Sequence, residues 1–270
     1  MKFVKMHGLG NDYVYLDCFR QSASEDPNGL SVRMARPHFG IGSDGLVLIL
    51  PSETEDARMR MFNADGSEGR MCGNALRCVA KYLYDSGLAR KNRITVETLS
   101  GIKTADVLVE NGVAVGARCD MGRVLWDGED VTAEAAGRVW SLRRVDVGSK
   151  HGVALLGAQP DEALFQAAGP LLERAEVFPD RANIEFVTLE GPDRLKMRVW
   201  ERGSGETLAC GTGACASFVA ASLAGWVGKR ATVSLRGGDL SIEWGEDGHV
   251  VMEGPASLAF TGEWPEDQPE

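Results

Sequence analysis

The chain has 270 residues and a formal net charge of −10 at pH 7, and 44% of its residues are hydrophobic. This length suits one large domain or two domains of about half that size, with enough apolar residues to bury a core. The acidic balance, without any long Lys/Arg run, argues against a general binder of nucleic acid or of acidic membranes. The N-terminal stretch MKFVKMHGLGNDYVYLD lacks the apolar run of a signal peptide, and no segment is long enough to span a membrane. The composition predicts a cytoplasmic globular protein.

Short segments typical of half-buried strands recur along the whole chain. Most of them alternate apolar and polar residues and end at Gly, Asn or Asp. In chain order, the predicted strands cover residues 2–6, 13–17, 46–50, 58–63, 93–99, 105–110, 144–148, 183–189, 195–200, 231–237, 240–244 and 249–254.

Two longer segments predict helices, and each begins at a cysteine that is followed by glycine. After Cys72, apolar residues from Leu76 to Leu83 fall at helical spacing, and Gly87 predicts the helix end. After Cys210, the segment GACASFVAASLAG is almost wholly apolar. A helix that is apolar all round is typically central and buried.

The two predicted helices belong to an internal repeat. The segments RMFNADGSEGRMCGNALRC and RVWERGSGETLACGTGACA align without a gap at an offset of 138 residues, which pairs Cys72 with Cys210. The same offset pairs Asn11 with Ser149, and TVETLSG recurs as TVSLRGG at nearly that distance. Several matches at nearly one offset predict an internal duplication.

The duplication predicts the fold class and the domain boundaries. We expect an α+β (α/β) fold with two similar halves, each with mostly antiparallel strands around one buried helix. The N-terminal half is predicted to span residues 1–118 and the C-terminal half residues 119–258. The acidic tail, residues 259–270, is expected to pack on the N-terminal half, with its end solvated.

A cysteine at a helix start suggests acid–base chemistry. The free N–H groups and the dipole of a helix N-terminus favour an anion, and the pKa of a thiol falls there. Racemisation of an amino acid at Cα requires a base on one face and an acid on the other, and the two groups exchange roles in the reverse direction. Cys72 and Cys210 fit that demand as a matched pair. Such proton transfer requires no cofactor.

Other interpretations of the cysteines were weighed. A single Cys beside Gly is more often a small residue at a tight turn, but duplication at two helix starts favours the chemical role. The spacings C-x5-C and C-x4-C differ from the C-x2-C pairs of zinc sites, and disulfides are a poor default in a cytosolic chain. The segment GTGACAS resembles a phosphate loop but lacks its Gly-Lys-Ser/Thr ending. We therefore expect no metal and no nucleotide.

These segments resemble the diaminopimelate epimerase family, cofactor-independent enzymes that interconvert LL- and meso-diaminopimelate for lysine and cell-wall synthesis. The resemblance covers nearly the whole chain. It rests on KMHGLGNDYVYLD, RPHFGIGSDGLVLI, MFNADGSEGRMCGNALRC, TVETLSGIK, NIEFV and RVWERGSGETLACGTGACAS. It implies two pseudo-symmetric halves, each a barrel-like sheet around a central helix. It also implies that the protein is an isomerase, with a homodimer as a further possibility.

The resemblance implies a role for each site residue. Cys72 and Cys210 correspond to the acid–base pair. The N–H groups that would hold the reacting carboxylate belong to Gly73, Asn74, Gly211 and Thr212. Other positions that match substrate ligands are Asn11, Asn63, Asn183, Glu201 and Arg202, the last four at the distal amino-acid end of the substrate. Arg202 can pair with a carboxylate through two parallel bonds.

The sequence departs from the family pattern at two places. Ser149 and Lys150 stand where the family usually has Asn-Pro, ahead of a retained His151 that either orients near a thiol or serves as a core residue. Ile184 stands where the family usually has Thr. Because the Asn helps to hold the distal end of the substrate, we expect both changes to affect recognition there, with Ser149 as the remaining ligand.

Three functional hypotheses stay open at this point. The favoured one is epimerisation of diaminopimelate. The second is racemisation of another amino acid, for example histidine, by the same two thiols. The third is a non-racemising isomerase or a binding protein on the same scaffold. The retention of both cysteines counts against the third hypothesis.

Overall fold

The structure, a computed structural model, describes residues 1–265 and, at Asp127, the backbone only. The chain forms two compact units. The N-terminal unit comprises Met1–Cys119 and the segment that begins at Gly254, and the C-terminal unit comprises Asp120–Glu253. Of the acidic tail that was expected to pack on the N-terminal half, residues 266–270 lie outside the described residues.

Within residues 1–265, each unit contains two helices and a mixed set of strands, and β8 and β17, which extend past the unit limits, are given with the unit that holds most of their residues. The elements of the N-terminal unit are β1 (Lys2–Gly8), β2 (Asn11–Asp17), α1 (Pro27–Ala35), β3 (Gly45–Leu50), β4 (Ala57–Asn63), β5 (Glu68–Gly69), α2 (Gly73–Asp85), β6 (Arg93–Thr98), β7 (Gly101–Glu110), β8 (Val113–Arg123) and β18 (Ser257–Glu263). Those of the C-terminal unit are β9 (Leu125–Ala135), β10 (Arg138–Asp146), β11 (Lys150–Leu156), α3 (Glu162–Glu173), β12 (Asn183–Gly191), β13 (Arg194–Glu201), β14 (Gly205–Glu206), α4 (Gly211–Leu223), β15 (Arg230–Leu235), β16 (Gly238–Trp244) and β17 (His249–Pro255). No helix in the described part of the chain is both long and apolar enough to cross a bilayer.

The two units have the same strand order. In the N-terminal unit the order is β18-β1-β2-β3-β4-β6-β7-β8, antiparallel except for the β2–β3 and β4–β6 pairs. In the C-terminal unit the order is β9-β10-β11-β12-β13-β15-β16-β17, antiparallel except for β11–β12 and β13–β15. The predicted α+β fold with two similar, mostly antiparallel halves is confirmed. In the N-terminal unit the first strand of the set, β18, comes from the end of the chain.

The two cysteine-led helices are the buried elements of their units. Helix α4 contacts β10, β11, β12, β13, β15 and β16, and its residues from Gly213 to Ala221 are all buried, as its apolar sequence predicted. Helix α2 contacts β1, β2 and β7. It also buries Arg77, whose Nη2 donates to Asn74 Oδ1 at 2.8 Å and whose Nε donates to Pro255 O at 3.1 Å. These bonds compensate the cost of removing a guanidinium from water.

Several elements were not predicted from the sequence. Helix α1 begins after Asp26, whose side chain accepts from Gly29 N at 2.9 Å, and α3 begins after Asp161, which accepts from Leu164 N at 2.8 Å. Both use an aspartate N-cap, a signal that was present in the sequence but does not by itself identify a helix. Strand β8 runs across the predicted boundary between residues 118 and 119, and β9 follows it.

The core of the C-terminal unit is built around aromatic rings. Phe186 of β12 is fully buried and makes edge contacts with Trp140 and Phe165, at ring-centroid distances of 5.3 and 5.1 Å. Such pairs add stabilisation beyond the area that they bury. Phe186 follows Glu185 on the same strand, so this packing also holds the strand that carries the site residues described below.

We predict that Phe186→Ala lowers the free energy of unfolding by about 3–5 kcal/mol, because it removes a large buried side chain and leaves a cavity. Urea unfolding followed by far-ultraviolet circular dichroism measures the change. Val139→Ala is the matched control, since Val139 is 60% exposed and its truncation should cost about 0.5 kcal/mol or less. Equal losses in the two variants would contradict the assignment of Phe186 to the core.

Candidate active site

The first candidate group lies in the N-terminal unit, where Cys72 precedes helix α2. Cys72 is the N-cap, with an extended backbone (φ −135°, ψ 122°), and its carbonyl accepts from Leu76 N at 2.9 Å. The half-buried thiol donates to Asn11 Oδ1 at 3.5 Å, and Asn74 Nδ2 donates to the same oxygen at 3.1 Å. An amide oxygen is therefore held against the thiol at the first turn of the helix.

Asn11 is oriented by a carboxylate to which the sequence assigned no role. It begins β2, directly after a tight turn in which Gly10 has φ 86°. Its Nδ2 donates to Asp44 Oδ2 at 2.7 Å, so its Oδ1 is the atom that faces Cys72. Burial is the largest influence on the pKa of Asp44 and raises it, although hydrogen bonds from Asp12 N and Asn11 act in the opposite direction. Asp44 thus fixes which end of the Asn11 amide meets the thiol.

The second candidate group lies in the C-terminal unit, where Cys210 precedes helix α4. Its backbone is again extended (φ −119°, ψ 107°), and the residue is buried, with 6% of its surface exposed. Gly213 N donates to Cys210 Sγ at 3.3 Å, and Thr212 Oγ1 lies 3.6 Å from the same sulfur. The thiol therefore accepts one of the N–H groups that a helix start leaves without a backbone partner.

A chain of hydrogen bonds runs from Thr212 into the interior of the C-terminal unit. Thr212 Oγ1 lies 3.2 Å from Ser149 Oγ, and Ser149 Oγ lies 2.8 Å from His151 Nε2. On the other side of the ring, His151 Nδ1 lies 2.7 Å from Glu185 Oε1. His151 and Glu185 are both buried. The chain links Cys210 to a carboxylate that the sequence did not single out.

The electrostatic setting of Cys210 contradicts one sequence-based expectation. Burial raises the pKa of Cys210 well above the usual value of a thiol, and the negative charges of Glu201 and Glu185 raise it further. Hydrogen bonds from Thr212 and Gly213 N lower the pKa but do not outweigh these effects. The predicted fall of the thiol pKa at this helix start is therefore wrong, because desolvation exceeds the stabilisation by the helix end.

The polar groups beside the two cysteines stand at equivalent positions, but a different member of each pair meets the sulfur: Asn11 contacts Cys72, and Thr212 contacts Cys210. Asn11 and Asn74 beside Cys72 correspond, at the offset of 138 residues, to Ser149 and Thr212 beside Cys210. The duplicated backbone therefore places a polar side chain from the start of β2 or β11 against each cysteine-led helix. The residue types differ, so the two thiols have different hydrogen-bonding partners.

A third set of predicted residues in the C-terminal unit comprises Arg202 and Lys150, which contact Asp180, with Asn183 bonded to Arg202 and with Glu201, which precedes Arg202 in sequence. Asn183 Oδ1 accepts from Arg202 N at 2.8 Å, and the exposed guanidinium of Arg202 donates to Asp180 O at 3.2 Å. Lys150 forms an ion pair with the Asp180 carboxylate and holds the pKa of Asp180 below its usual range. Glu201 accepts from Thr207 Oγ1. A guanidinium, an amide and a carboxylate on neighbouring segments could hold an amino-acid group.

The remaining predicted residues have more local surroundings. Asn63 Nδ2 donates to Ser67 Oγ at 2.9 Å in the turn after β4. Gly73 and Gly211 are the buried first residues of α2 and α4. Their N–H groups lie in the first turn of a helix, where a carboxylate is favoured.

Ile184, the second departure from the family pattern, has its side chain in the interior of the C-terminal unit. Its side chain is fully buried in the core of the C-terminal unit, in the cluster that contains Phe186 and Phe165. The preceding and following residues of β12, Asn183 and Glu185, carry the polar side chains. The replacement of the family's Thr by Ile therefore places an apolar side chain in this core, and its effect on recognition of a substrate stays a prediction.

Comparisons with known proteins agree over nearly the whole chain. The sequence model of a family described as diaminopimelate epimerase matches residues 3–126 and 143–259. The diaminopimelate epimerase of Pelotomaculum thermopropionicum is 49% identical over 278 residues, which cover 98% of this chain and 99% of that protein. That of Methanococcus maripaludis is 49% identical over 276 residues, which cover 97% and 99%. A solved structure of a PhzF-family phenazine biosynthesis protein from Bacillus anthracis has a TM-score of 0.76 at 14% identity, covers 98% and 99% of the two chains, and shows the fold alone.

The raised pKa of Cys210 predicts slow alkylation of this thiol at neutral pH. Because the thiolate is the nucleophile, the rate should keep rising with pH beyond the range in which an ordinary thiol is fully ionised. Iodoacetamide labelling across a pH series, read at Cys210 by peptide mass spectrometry, measures this profile. The same peptide in urea should follow an ordinary thiol titration, and a folded-state profile at lower pH than the unfolded one would contradict the prediction.

Proposed function

Because this chain belongs to the diaminopimelate epimerase family, we propose that it interconverts LL- and meso-diaminopimelate by proton transfer between two thiols and the α-carbon. It is an isomerase, and its place is in the synthesis of lysine and of peptidoglycan precursors. The observation that carries the proposed mechanism is the pair of cysteines, Cys72 and Cys210, that precede the buried helix of each duplicated unit.

The proposed reaction uses each thiol once in a turnover. One thiolate removes the α-proton, so that a Cα–H bond breaks and an S–H bond forms. The thiol of the other unit then gives its proton to the opposite face of the carbanion. The N–H groups of Gly73, Asn74, Gly211 and Thr212 would hold the α-carboxylate and share the charge that develops on the carbanion. The bonds made and broken balance without a cofactor or a metal.

The surroundings of Cys210 assign its resting form. Its raised pKa keeps the proton on sulfur at neutral pH, so Cys210 begins as a proton donor when no substrate is bound. In the reverse direction it must lose this proton before it can act as the base. A substrate that brings its ammonium and carboxylate groups to the helix start would change the local charge at that moment.

The choice of diaminopimelate rests on the third set of predicted site residues. Arg202, Asn183 and Glu201 supply the donors and acceptor that a second amino-acid end requires. The departure at Lys150 adds no uncompensated charge, because its ammonium pairs with Asp180. Ser149 contacts His151 and Thr212. These contacts support a tolerated variation at Ser149–Lys150 over the alternative of a racemase for histidine or another amino acid.

Location and assembly follow as further parts of the proposal. All six cysteines are free thiols, which fits the reducing cytoplasm. The amino-acid substrate is the proposed partner, and neither nucleic acid nor membrane is expected from the net charge of −10. The homodimer implied by the family stays a prediction, which light scattering after size exclusion would test.

We predict that Cys72→Ala and Cys210→Ala each lower the rate of epimerisation by about three orders of magnitude, because each removes a group that transfers a proton. Turnover of LL-diaminopimelate under reducing conditions measures the effect. Cys18→Ala is the control, because Cys18 is half-buried, its thiol donates to the carbonyl of Leu16, and it is the N-cap of neither buried helix. Near-normal turnover in either active-site variant would rule out the two-thiol mechanism.

We predict that the α-proton signal of diaminopimelate disappears in D2O with the enzyme and a reductant, while those of L-histidine and L-lysine persist. Only diaminopimelate places a second carboxylate and ammonium at the end that Arg202 and Glu201 would bind. Proton NMR of the three substrates in parallel gives the answer. Exchange of histidine without exchange of diaminopimelate would select the alternative racemase, and exchange of none would remove the support for both.

A further inference from the structure

A buried carboxylate–imidazole pair lies behind Cys210 in the C-terminal unit. Glu185 of β12 and His151 of the neighbouring parallel strand β11 are 0% and 1% exposed, and Oε1 and Nδ1 are 2.7 Å apart. The second carboxylate oxygen, Glu185 Oε2, has no hydrogen-bond partner among the described residues. A buried carboxylate that is only partly satisfied costs stability, and such groups persist where they serve a function.

The pair fixes the direction in which the imidazole ring can act. Because Glu185 accepts from the Nδ1 proton, Nε2 is the nitrogen that meets Ser149 Oγ, at 2.8 Å. The chain continues through Thr212 to Cys210 Sγ, with separations of 3.2 and 3.6 Å. Each hydroxyl holds one proton and can also accept one. The hydrogen bonds can therefore run from the thiol to the ring or from the ring to the thiol.

We propose that Glu185 is a positioning residue for the reaction at Cys210, because it holds His151 where a proton can pass between the thiol and the ring through two hydroxyl groups. In the forward step the Cys210 S–H bond breaks and Thr212 takes the proton. Thr212 passes its own proton to Ser149, and Ser149 passes its own to His151 Nε2. A thiol and an imidazole become a thiolate and an imidazolium, and Glu185 faces the imidazolium. The inference rests on the proposed two-thiol function.

The space beside helix α4 is shaped for this carboxylate. A Cβ on Gly213 would lie 2.6 Å from Glu185 Oε1, so any larger residue at this position would clash with the carboxylate. In the N-terminal unit the positions equivalent to Glu185 and Gly213, at the offset of 138 residues, are Val47 and Ala75. The N-terminal unit thus has Ala75 at the position of Gly213, and there Val47 replaces the glutamate with which a Cβ would clash.

The imidazole of His151 is also absent from the equivalent position of the N-terminal unit. The position equivalent to His151 is Tyr13, so the N-terminal unit has neither an imidazole nor a carboxylate at these two places. The glycine, the glutamate and the histidine occur together in the unit that contains Cys210. The proton path therefore belongs to Cys210 and has no counterpart of the same kind at Cys72.

Two effects of Glu185 on Cys210 have opposite signs. The charged groups that act on this thiol are Glu201 of β13 and Glu185 of β12, and both negative charges keep the proton on sulfur. His151 of β11 reaches the thiol only through Ser149 and Thr212. As a nearby charge alone, Glu185 opposes formation of the thiolate. As the partner of an imidazolium it favours that thiolate. A variant that removes only its charge tells the two roles apart.

The test is the rate at which iodoacetamide alkylates Cys210 in the full chain near neutral pH, read by peptide mass spectrometry. Glu185→Gln keeps the shape of the side chain and an acceptor oxygen. Ser149→Ala interrupts the series of hydrogen bonds between Cys210 and His151 without changing any charge. We expect each to slow the labelling of Cys210 about tenfold, the effect of losing one hydrogen bond to a charged group. Ser149→Thr should restore the rate to within about twofold, since it keeps the hydroxyl. Cys72, labelled in the same samples, should not change.

Controls make every outcome decisive. Ser217→Ala is the matched control for Ser149→Ala, because Ser217 lies on α4, is fully buried, and its hydroxyl has no hydrogen-bond partner among the described residues. Faster labelling in Glu185→Gln would show that the carboxylate acts only as a charge. An unchanged rate in Ser149→Ala would overturn the proton path. If Glu185→Gln does not fold by circular dichroism, the Ser149 pair decides. Absence of diaminopimelate exchange by the wild type would refute the proposed function and leave the labelling result intact.

Discussion

Every buried helix presents N–H groups at its first turn that no carbonyl of the same helix can accept. In this protein the two helices at the centre of their units, α2 and α4, both begin this way, and a cysteine is the N-cap of each. The strands around each helix exclude water from its sides, so its first turn is where a polar ligand can reach it. Backbone amides aimed at one point suit a carboxylate. The burial of the helix therefore favours the proposed carboxylate site at its first turn, and the cysteine lies beside that turn because it is the N-cap.

The duplicated frame does not make the two thiols equivalent. In the N-terminal unit, Asp44 fixes the amide of Asn11 so that its oxygen faces Cys72. An amide has its donor and its acceptor on different atoms, so the Asn11 oxygen can accept a hydrogen bond from the Cys72 thiol but cannot donate one. In the C-terminal unit, hydroxyl groups stand at the equivalent positions, and their protons can rotate. The same backbone therefore supports a fixed contact at Cys72 and a reversible one at Cys210.

The sequence predicted the features that depend on local pattern and on repetition. The offset of 138 residues located both cysteines and both buried helices, and Gly87, with φ 77°, follows the end of α2 as expected. Helix α1 was missed because it is short, and α3 was missed because Pro170 lies inside it and argues against a helix in the sequence. Glu185 was missed because its importance depends on a contact with a parallel strand 34 residues away in sequence. The site residues themselves remain predictions, and the structure supports them only through their contacts.

The sign of the shift in the pKa of Cys210 shows why local reasoning was insufficient. A helix start stabilises a thiolate by a modest amount that falls off within one turn. Burial acts on the same charge with a larger effect, and whether a residue is buried depends on strands far away in sequence. The local sequence pattern could identify Cys210 and the helix that follows it. Whether burial or the helix start has the larger effect on the pKa of the thiol depends on the packing of the whole unit.

Ser149 connects the departure from the family pattern with this balance. The family's usual Asn would give both units an amide against the cysteine-led helix, with a fixed donor and a fixed acceptor. Serine replaces it with one rotatable hydroxyl between His151 and Thr212. Because burial keeps the proton on Cys210, the thiol needs an acceptor before it can act as a base, and a hydroxyl chain can supply one where an amide cannot relay a proton. Ser149, which departs from the family pattern, therefore connects the buried His151–Glu185 pair to Cys210 through Thr212.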